Sequence, residues 1–248
     1  MRWLCFEKKA AAKPWIEIER MNVLSILAKD VHNTVKEQTT SRDSALNVGY
    51  KVSKRILDIV LSVVGLIIAF LPMVVIALLI KLESPGPAIY IHHRIGKNGK
   101  PLPLLKFRSM RMDADKMIDN FSPEQKAEWL ENFKLDNDPR ITRIGRFLRK
   151  SSIDELPQLV NVLKGELSIV GPRPVVEEEL EKYGDQRAKF LSVTPGLTGY
   201  WQAYARSNCT YEKRVEMELY YVDNANFWWD IKIIFATVGA VLRGKGAQ

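Results

Sequence analysis

Residues 149–174 read RKSSIDELPQLVNVLKGELSIVGPRP, and two adjacent carboxylates, Asp154 and Glu155, lie near the start of this stretch. Apolar residues follow them at the spacing of one helical face: Leu156, Leu159, Val160 and Leu163. Because proline is tolerated only in the first turn of a helix, Pro157 predicts that a helix begins close to the carboxylates. Either Asp154 caps this helix, or Ser152 caps it and Glu155 completes a capping box. In both cases the carboxylates are expected beside backbone N–H groups at a helix N-terminus.

Cationic side chains accompany the two carboxylates. Arg149 precedes them, and Arg173 follows an expected short strand in the stiff loop Gly171–Pro174. Arginine is suited to bidentate phosphate binding, whereas paired carboxylates suit Mg²⁺ coordination or nucleophilic attack at phosphorus. Lys106, from a predicted hairpin, is a further candidate cation. This combination predicts phosphoryl transfer.

An apolar segment predicts a membrane element. Residues 59–80 carry no formal charge, and as one helix they would measure roughly 33 Å, enough for a bilayer core of about 30 Å. Pro72 lies inside the segment and is expected to bend it. Positive charges flank both ends, and such flanks prefer the cytoplasm. Two topologies remain equally open from physics: a helix broken at Pro72 that enters and leaves by one face, and a kinked spanning anchor.

The remaining sequence predicts an α+β fold that is mainly helical. Asn98 and Gly99 separate two apolar runs and predict a β-hairpin. Helical patterns are expected at 111–134, 141–150, 177–183, 210–222 and 227–242, and residues 194–199 are expected to form a loop. We divide the chain into an N-terminal extension of unknown role (1–50), a re-entrant membrane helix (51–82) and a catalytic domain with a small sheet (83–248).

Composition restricts the class of protein. The formal net charge of +8 attracts anionic lipid, phosphorylated substrates or nucleic acid without choosing among them. The two cysteines argue against a disulfide framework, and the first ten residues lack the apolar core of a secretory signal, which places the protein on the cytoplasmic side. The chain has no glycine-rich phosphate loop, no HExxH motif and no recognisable Ser/His/Asp pattern.

From about Lys51 to Lys245 the chain resembles the bacterial sugar transferases, the monotopic polyprenyl-phosphate phosphoglycosyl transferases. The similarity is carried by motifs in family-like order: SPGPAIY, RIGKNGKP, KFRSM, SSIDELPQL, NVLKGELSIVGPRP and PGLTGYWQ. The resemblance implies transfer of a sugar phosphate from a UDP-sugar to undecaprenyl phosphate, with release of UMP and a requirement for Mg²⁺. It also implies the first membrane step of surface-glycan synthesis, at the cytoplasmic face of the bacterial inner membrane. Inner-membrane lipid and a possible homodimer are the expected partners, without nucleic acid.

The resemblance also implies roles for individual residues. Asp154 corresponds to the covalent nucleophile, and Glu155 to its partner, a metal ligand or base. The other implied assignments are substrate binding by Lys106, Arg149, Arg173 and Gln202, metal binding by Asp154, Glu155 and Asp230, and the membrane break at Pro72. Leu71 stands where many members have serine, which concerns how the break at Pro72 is hydrogen-bonded and not whether it exists. The Tyr204–Arg206 segment departs from the usual Asn-Gly-Arg, which weakens any transfer of sugar-recognition residues. The rival function is a non-catalytic basic membrane adaptor.

Overall fold

A single helix of 36 residues, α1 (Val48–Glu83), lies against an α+β unit formed by the described residues that follow it. The computed structural model describes residues 48–122, 125–126, 135, 138–205 and 209–242. Most of the predicted extension lies outside the described residues, and its role stays a prediction. The first described residue, Val48, is already helical, so α1 begins before the expected boundary at 51.

The α+β unit follows α1 and is mainly helical, as predicted. Its helices are α2 (Ala114–Met117), α3 (Arg143–Ser151), α4 (Gln158–Lys164), α5 (Glu177–Leu180), α6 (Arg187–Leu191), α7 (Tyr200–Tyr204), α8 (Tyr211–Asn224) and α9 (Phe227–Leu242). Its strands are β1 (Ile89–Ile95), β2 (Pro101–Phe107), β3 (Ser168–Val170) and β4 (Gly196–Thr198). Short 3₁₀ turns span Lys97–Gly99, Ile118–Asn120, Ile153–Glu155 and Glu181–Gln186.

Two small sheets carry the loops of the site. Strands β1 and β2 pair antiparallel, with Ile89 opposite Phe107 and Ile95 opposite Pro101. The predicted hairpin is therefore confirmed, and Asn98 adopts the left-handed conformation (φ 58°) that its turn requires. The second sheet pairs β3 with β4 in parallel. The prediction that 194–199 form only a loop is wrong, because β4 lies within that range and pairs with β3.

Helix α1 continues without interruption through Pro72. It is long and apolar enough to cross a membrane, and almost none of its most apolar window is buried by the rest of the protein. These properties make α1 a membrane-associating helix. The helix extends on both sides of Pro72. The re-entrant topology, in which α1 would bend at Pro72 between two helical arms, therefore stays a prediction.

The α+β unit contacts α1 near both of its ends. Near the start, the Arg55 guanidinium donates to the Val162 and Leu163 carbonyls at the end of α4, at 2.7 and 2.6 Å. At the other end, the Glu83 carboxylate accepts the backbone N–H groups of Arg143 and Ile144, at 2.7 and 3.1 Å. Both termini of α1 are thus attached to one folded unit.

Candidate active site

The carboxylate pair lies in the 3₁₀ turn between α3 and α4. Ser152 ends α3 in a left-handed conformation (φ 58°), and its N–H donates to the carbonyls at the end of that helix. Helix α4 begins only at Gln158, after Pro157. Both capping predictions are therefore wrong: a left-handed Ser152 cannot act as an N-cap, and Asp154 makes no capping bond.

Lys106, on β2, binds the carboxylate pair. Its Nζ lies 2.6 Å from Glu155 Oε1 and 4.0 Å from Asp154 Oδ2. All three side chains are partly buried, so this contact is less screened by solvent than a surface ion pair. The hairpin thus supplies the cation that the sequence assigned to this site.

The two carboxylates have different pKa values because their surroundings differ. Burial raises the pKa of Asp154, and Lys106 and Arg149 only partly oppose this effect. Burial would also raise the pKa of Glu155, but Lys106 and Arg173 outweigh it and lower the pKa. Such divergence is typical of neighbouring carboxylates that perform different tasks. Glu155 is the more firmly ionised of the two.

Arg149 reaches the site because α3 packs closely on the segment after β2. Its Nε donates to Ser109 Oγ at 2.8 Å, and it lies near enough to Asp154 for charge interaction. The close approach requires glycine: a Cβ at Gly145 would lie 2.0 Å from the Ser109 carbonyl oxygen. Gly145 therefore allows α3 to approach Ser109 closely enough for Arg149 to reach the site.

A small pocket that is partly open to solvent adjoins Glu155. It is lined by Arg94, Leu104, Lys106, Glu155, Gln158, Arg173, Pro174, Gly196 and Leu197. The backbone N–H of Arg173 donates to buried Glu218 at 3.2 Å, which fixes the loop. Among the described residues, no carboxylate forms an ion pair with the Arg173 guanidinium. Arg173 acts on Glu155 through its charge without forming a close ion pair, so its guanidinium is suited to an anionic ligand in the pocket.

Five predicted site residues come together: Lys106, Arg149, Asp154, Glu155 and Arg173. Gln202 does not line this pocket and lies on α7 against Gly199. Sequence reasoning missed Arg94 and Gln158, since nothing in their local pattern indicates that a pocket forms between β1 and α4. The only available signal was their presence within two of the family-like motifs.

Asp230 is not part of this cluster. It is 1% exposed, and its carboxylate accepts hydrogen bonds from Tyr50 (2.9 Å), Lys54 (2.8 Å) and Tyr221 (2.7 Å). The expectation that it completes a metal set with Asp154 and Glu155 is wrong, because these contacts use it to attach α9 to α1 and α8.

The residues of the site fit Mg²⁺ only if substrate phosphates supply some of the metal ligands. Within the described ranges, no group of three or more His, Cys, Asp or Glu side chains is arranged to hold a metal ion. Mg²⁺, however, is usually bound by one or two carboxylates together with substrate phosphates. Asp154 and Glu155 beside a cationic pocket have the donor types for that arrangement.

The family model and the related proteins that match this chain agree on one family. The family model described as bacterial sugar transferase matches residues 49–244. The undecaprenyl-phosphate galactose phosphotransferase of Salmonella typhimurium is 48% identical over 197 residues, which cover 78% of this chain and 41% of that protein. The UDP-glucose:undecaprenyl-phosphate glucose-1-phosphate transferase of Escherichia coli is 40% identical over 205 residues, covering 79% and 41%.

A relative of more similar length is the exopolysaccharide production protein ExoY of Rhizobium meliloti, 41% identical over 199 residues that cover 79% of this chain and 88% of the relative. The chain spans about two fifths of the length of several other curated relatives that it matches. The match of the family model, which includes all but the first residue of α1 and every residue of the pocket, shows that the chain belongs to the bacterial sugar transferase family.

Proposed function

We propose that this chain transfers a sugar phosphate from a UDP-sugar to polyprenyl phosphate and releases UMP. One observation carries the proposal: Asp154 and Glu155 share Lys106 beside a pocket that is also lined by Arg173. The names of relatives in Salmonella and Escherichia coli, which specify undecaprenyl phosphate and a sugar, support these substrate classes.

The proposed chemistry proceeds in two steps. An Asp154 carboxylate oxygen attacks the β-phosphorus of the UDP-sugar, and the bond from that phosphorus to the bridging oxygen breaks. UMP leaves with the electron pair, and the sugar phosphate remains bonded to Asp154. A phosphate oxygen of the polyprenyl acceptor then attacks the same phosphorus and releases the Asp154 carboxylate. Two steps allow a water-soluble donor and a lipid acceptor to use one site in turn.

Electrostatics favour Asp154 over Glu155 as the nucleophile. Lys106 lies 2.6 Å from Glu155 and 4.0 Å from Asp154, so the ion pair occupies Glu155 more fully. Phosphate charge must be neutralised during attack, and Lys106, Arg149 and Arg173 are placed for that purpose. Mg²⁺ held by Asp154 or Glu155 together with the diphosphate would add further neutralisation when bound.

The attachment of α1 supports a re-entrant membrane topology. If α1 crossed the bilayer with its ends on opposite sides, the contacts of Arg55 with α4 and of Glu83 with α3 would lie across the membrane from each other. One folded unit makes both contacts, which favours a helix whose ends lie on the cytoplasmic face. Bending at Pro72 is a physical route to that arrangement.

Measurement of UMP tests the proposal directly. With Mg²⁺ and UDP-galactose or UDP-glucose but no acceptor, the purified full chain should release up to one equivalent of UMP and gain the mass of a sugar phosphate. Asp154→Asn should abolish both signals while the thermal midpoint shows an intact fold. Asp113→Asn, at an exposed aspartate, is the matched control.

Two results would contradict parts of the proposal. Release of UMP only in the presence of polyprenyl phosphate, with intersecting initial-rate plots, would replace the covalent route by direct transfer in a ternary complex. Failure of every UDP-sugar in a broad panel to yield UMP with membranes present would favour the basic membrane adaptor.

A further inference from the structure

We propose that Arg94 and Gln158 are two additional ligands of the donor's diphosphate, and that Glu179 positions Arg94. This inference rests on the proposed function. It assigns one wall of the pocket, where β1 and the first residue of α4 meet, to recognition of phosphate oxygens. Neither residue was among the site residues that the sequence indicated.

Arg94 increases the cationic character of the pocket beyond the expected residues. It lines the pocket with Lys106 and Arg173, while Glu155 is the one carboxylate in that lining. These three cations exceed the one carboxylate of the lining, and Glu179, which pairs with Arg94, offsets part of the excess; the remaining positive charge suits a nucleoside diphosphate sugar. Burial and charge repulsion from Arg173 lower the pKa of Arg94, although Glu179 opposes this effect. A bound diphosphate would relieve this repulsion.

Glu179 forms an ion pair with Arg94 and does not line the pocket itself. Arg94 Nη1 donates to Glu179 Oε2 at 2.9 Å, and Arg214 Nη1 donates to Glu179 Oε1 at 3.3 Å. Arg214 also lies 3.5 Å from Glu218, the carboxylate that accepts the Arg173 backbone N–H. Glu179, Arg214 and Glu218 therefore form a connected set of charged side chains, which contacts the Arg94 side chain at one end and the Arg173 backbone at the other.

Gln158 supplies an independent observation that points to a ligand. Its side chain is 3% exposed, yet within the described structure its Nε2 has no hydrogen-bond acceptor. Buried donors are normally satisfied, since leaving one unpaired is costly. Because Gln158 lines the pocket, a phosphate oxygen bound there would supply the missing acceptor.

Titration of the full chain with UDP in the presence of Mg²⁺ tests this inference without relying on turnover. Loss of one charge-assisted hydrogen bond should weaken binding about tenfold or more in Arg94→Ala, and Arg94→Lys should recover part of the affinity. Gln158→Leu should weaken UDP binding by about threefold or more. Arg173→Ala is the positive comparison, and Arg111→Ala, at an exposed arginine, is the matched control.

Glu179→Gln separates positioning from direct contact. It removes the charge that orients Arg94 but keeps Arg94 itself, so UDP affinity should fall by less than in Arg94→Ala. If Arg94→Ala does not fold, Arg94→Lys decides: the loss of the forked donor should still weaken binding at least threefold.

Failure of this inference differs from failure of the proposed function. If the wild type binds UDP and Arg173→Ala weakens it, but Arg94 and Gln158 variants bind like the wild type, the assignment of this wall is overturned. If the wild type binds neither UDP nor any UDP-sugar, the proposed function fails together with it.

Discussion

Asp154 and Glu155 show how adjacent residues of similar chemistry acquire different properties. The 3₁₀ turn directs them into different surroundings, and Lys106 lies 1.4 Å closer to Glu155 than to Asp154, from distances of 2.6 and 4.0 Å. The pKa of Asp154 is raised mainly by burial, whereas that of Glu155 is lowered by its neighbours despite burial. We therefore expect the double variant Asp154→Glu/Glu155→Asp to lose UMP release, because each position keeps its own surroundings when the two residue types are exchanged.

Asp230 is expected to contribute to stability and not to metal binding. Asp230→Asn removes the charge that pairs with Lys54, and disruption of such a buried pair costs roughly 3 kcal/mol. The thermal midpoint should therefore fall by several degrees, while the Mg²⁺ concentration that gives half-maximal activity stays unchanged. A metal titration of the variant's residual activity, compared with wild type, checks this prediction. A large increase in the required Mg²⁺ without loss of stability would restore Asp230 to the metal site.

His92 is expected to make stability depend on pH. Burial, together with Arg94, Lys106 and Arg173 and despite Glu179, lowers the pKa of His92 to about 4, compared with 6.5 when unfolded. Between these values the unfolded chain binds a proton that the folded chain does not, so stability falls as pH decreases from 6.5 to 4.

Thermal midpoints measured across this range should decrease less steeply in His92→Gln than in the wild type. His93→Gln, at the exposed neighbouring position, controls for loss of a histidine. Equal slopes in the His92 variant and the wild type would show that the cations near His92 do not affect its titration in solution.

Some residues of the site could be predicted from sequence and others could not. Asp154, Glu155, Lys106 and Arg173 lie in motifs whose residue types suit phosphate chemistry. Arg94 and Gln158 are recognised only after folding creates a pocket between β1 and α4. Asp230 was assigned wrongly because its contact with Lys54 joins residues 176 positions apart, and no local pattern indicates such a contact.

At the scale of secondary-structure elements, sequence patterns predicted correctly those conformations that depend on neighbouring residues. The Asn98–Gly99 turn was predicted because these residues tolerate the backbone that a short hairpin needs. The capping prediction failed because Ser152 caps the C-terminus of α3 and not the N-terminus of α4. The sequence alone does not show which of two successive helices a serine between them will cap. The parallel pairing of β4 with β3 likewise depends on contacts between segments separated in the chain.

The packing of α3 against the Ser109 segment is expected to control Arg149. In Gly145→Ala the added Cβ would clash with the Ser109 carbonyl, at 2.0 Å, and force α3 outward. We expect destabilisation of roughly 1–3 kcal/mol and a fall in turnover, because Arg149 moves with the helix. Thermal midpoint and UMP release measure the two effects. Arg146→Ala, exposed on the same helix, should change neither by a comparable amount, and wild-type behaviour of Gly145→Ala would show that α3 does not pack this closely.

At the scale of the whole molecule, the two-ended attachment of α1 predicts its topology. Single cysteines at Lys51 and Lys81, in a background lacking Cys5 and Cys209, should both be shielded from an impermeant thiol reagent in intact cells. Both should react after the cells are opened. The reason is that Arg55 and Glu83, close to these positions, bind the same folded unit.

Pro72→Ala provides the matched test of the bend. It restores a backbone hydrogen bond and favours a straight helix, so it should increase the fraction of molecules in which only one site is shielded. Labelling of one site but not the other in the parent protein would establish a spanning helix and refute the re-entrant arrangement.

Attachment of α1 at both ends also determines how often catalyst and acceptor meet. Because the folded unit contacts α1 near both ends, we expect the pocket beside Glu155 to be held at a fixed height above the lipid surface. Under the proposed function, the pocket would then meet polyprenyl phosphate by lateral diffusion, at a rate set by the number of acceptor molecules per unit area of membrane. Diluting the acceptor in mixed micelles with added detergent, at constant total amount, should slow turnover even though its bulk concentration is unchanged. Formation of the proposed phosphosugar intermediate from the water-soluble donor should be insensitive to the same dilution.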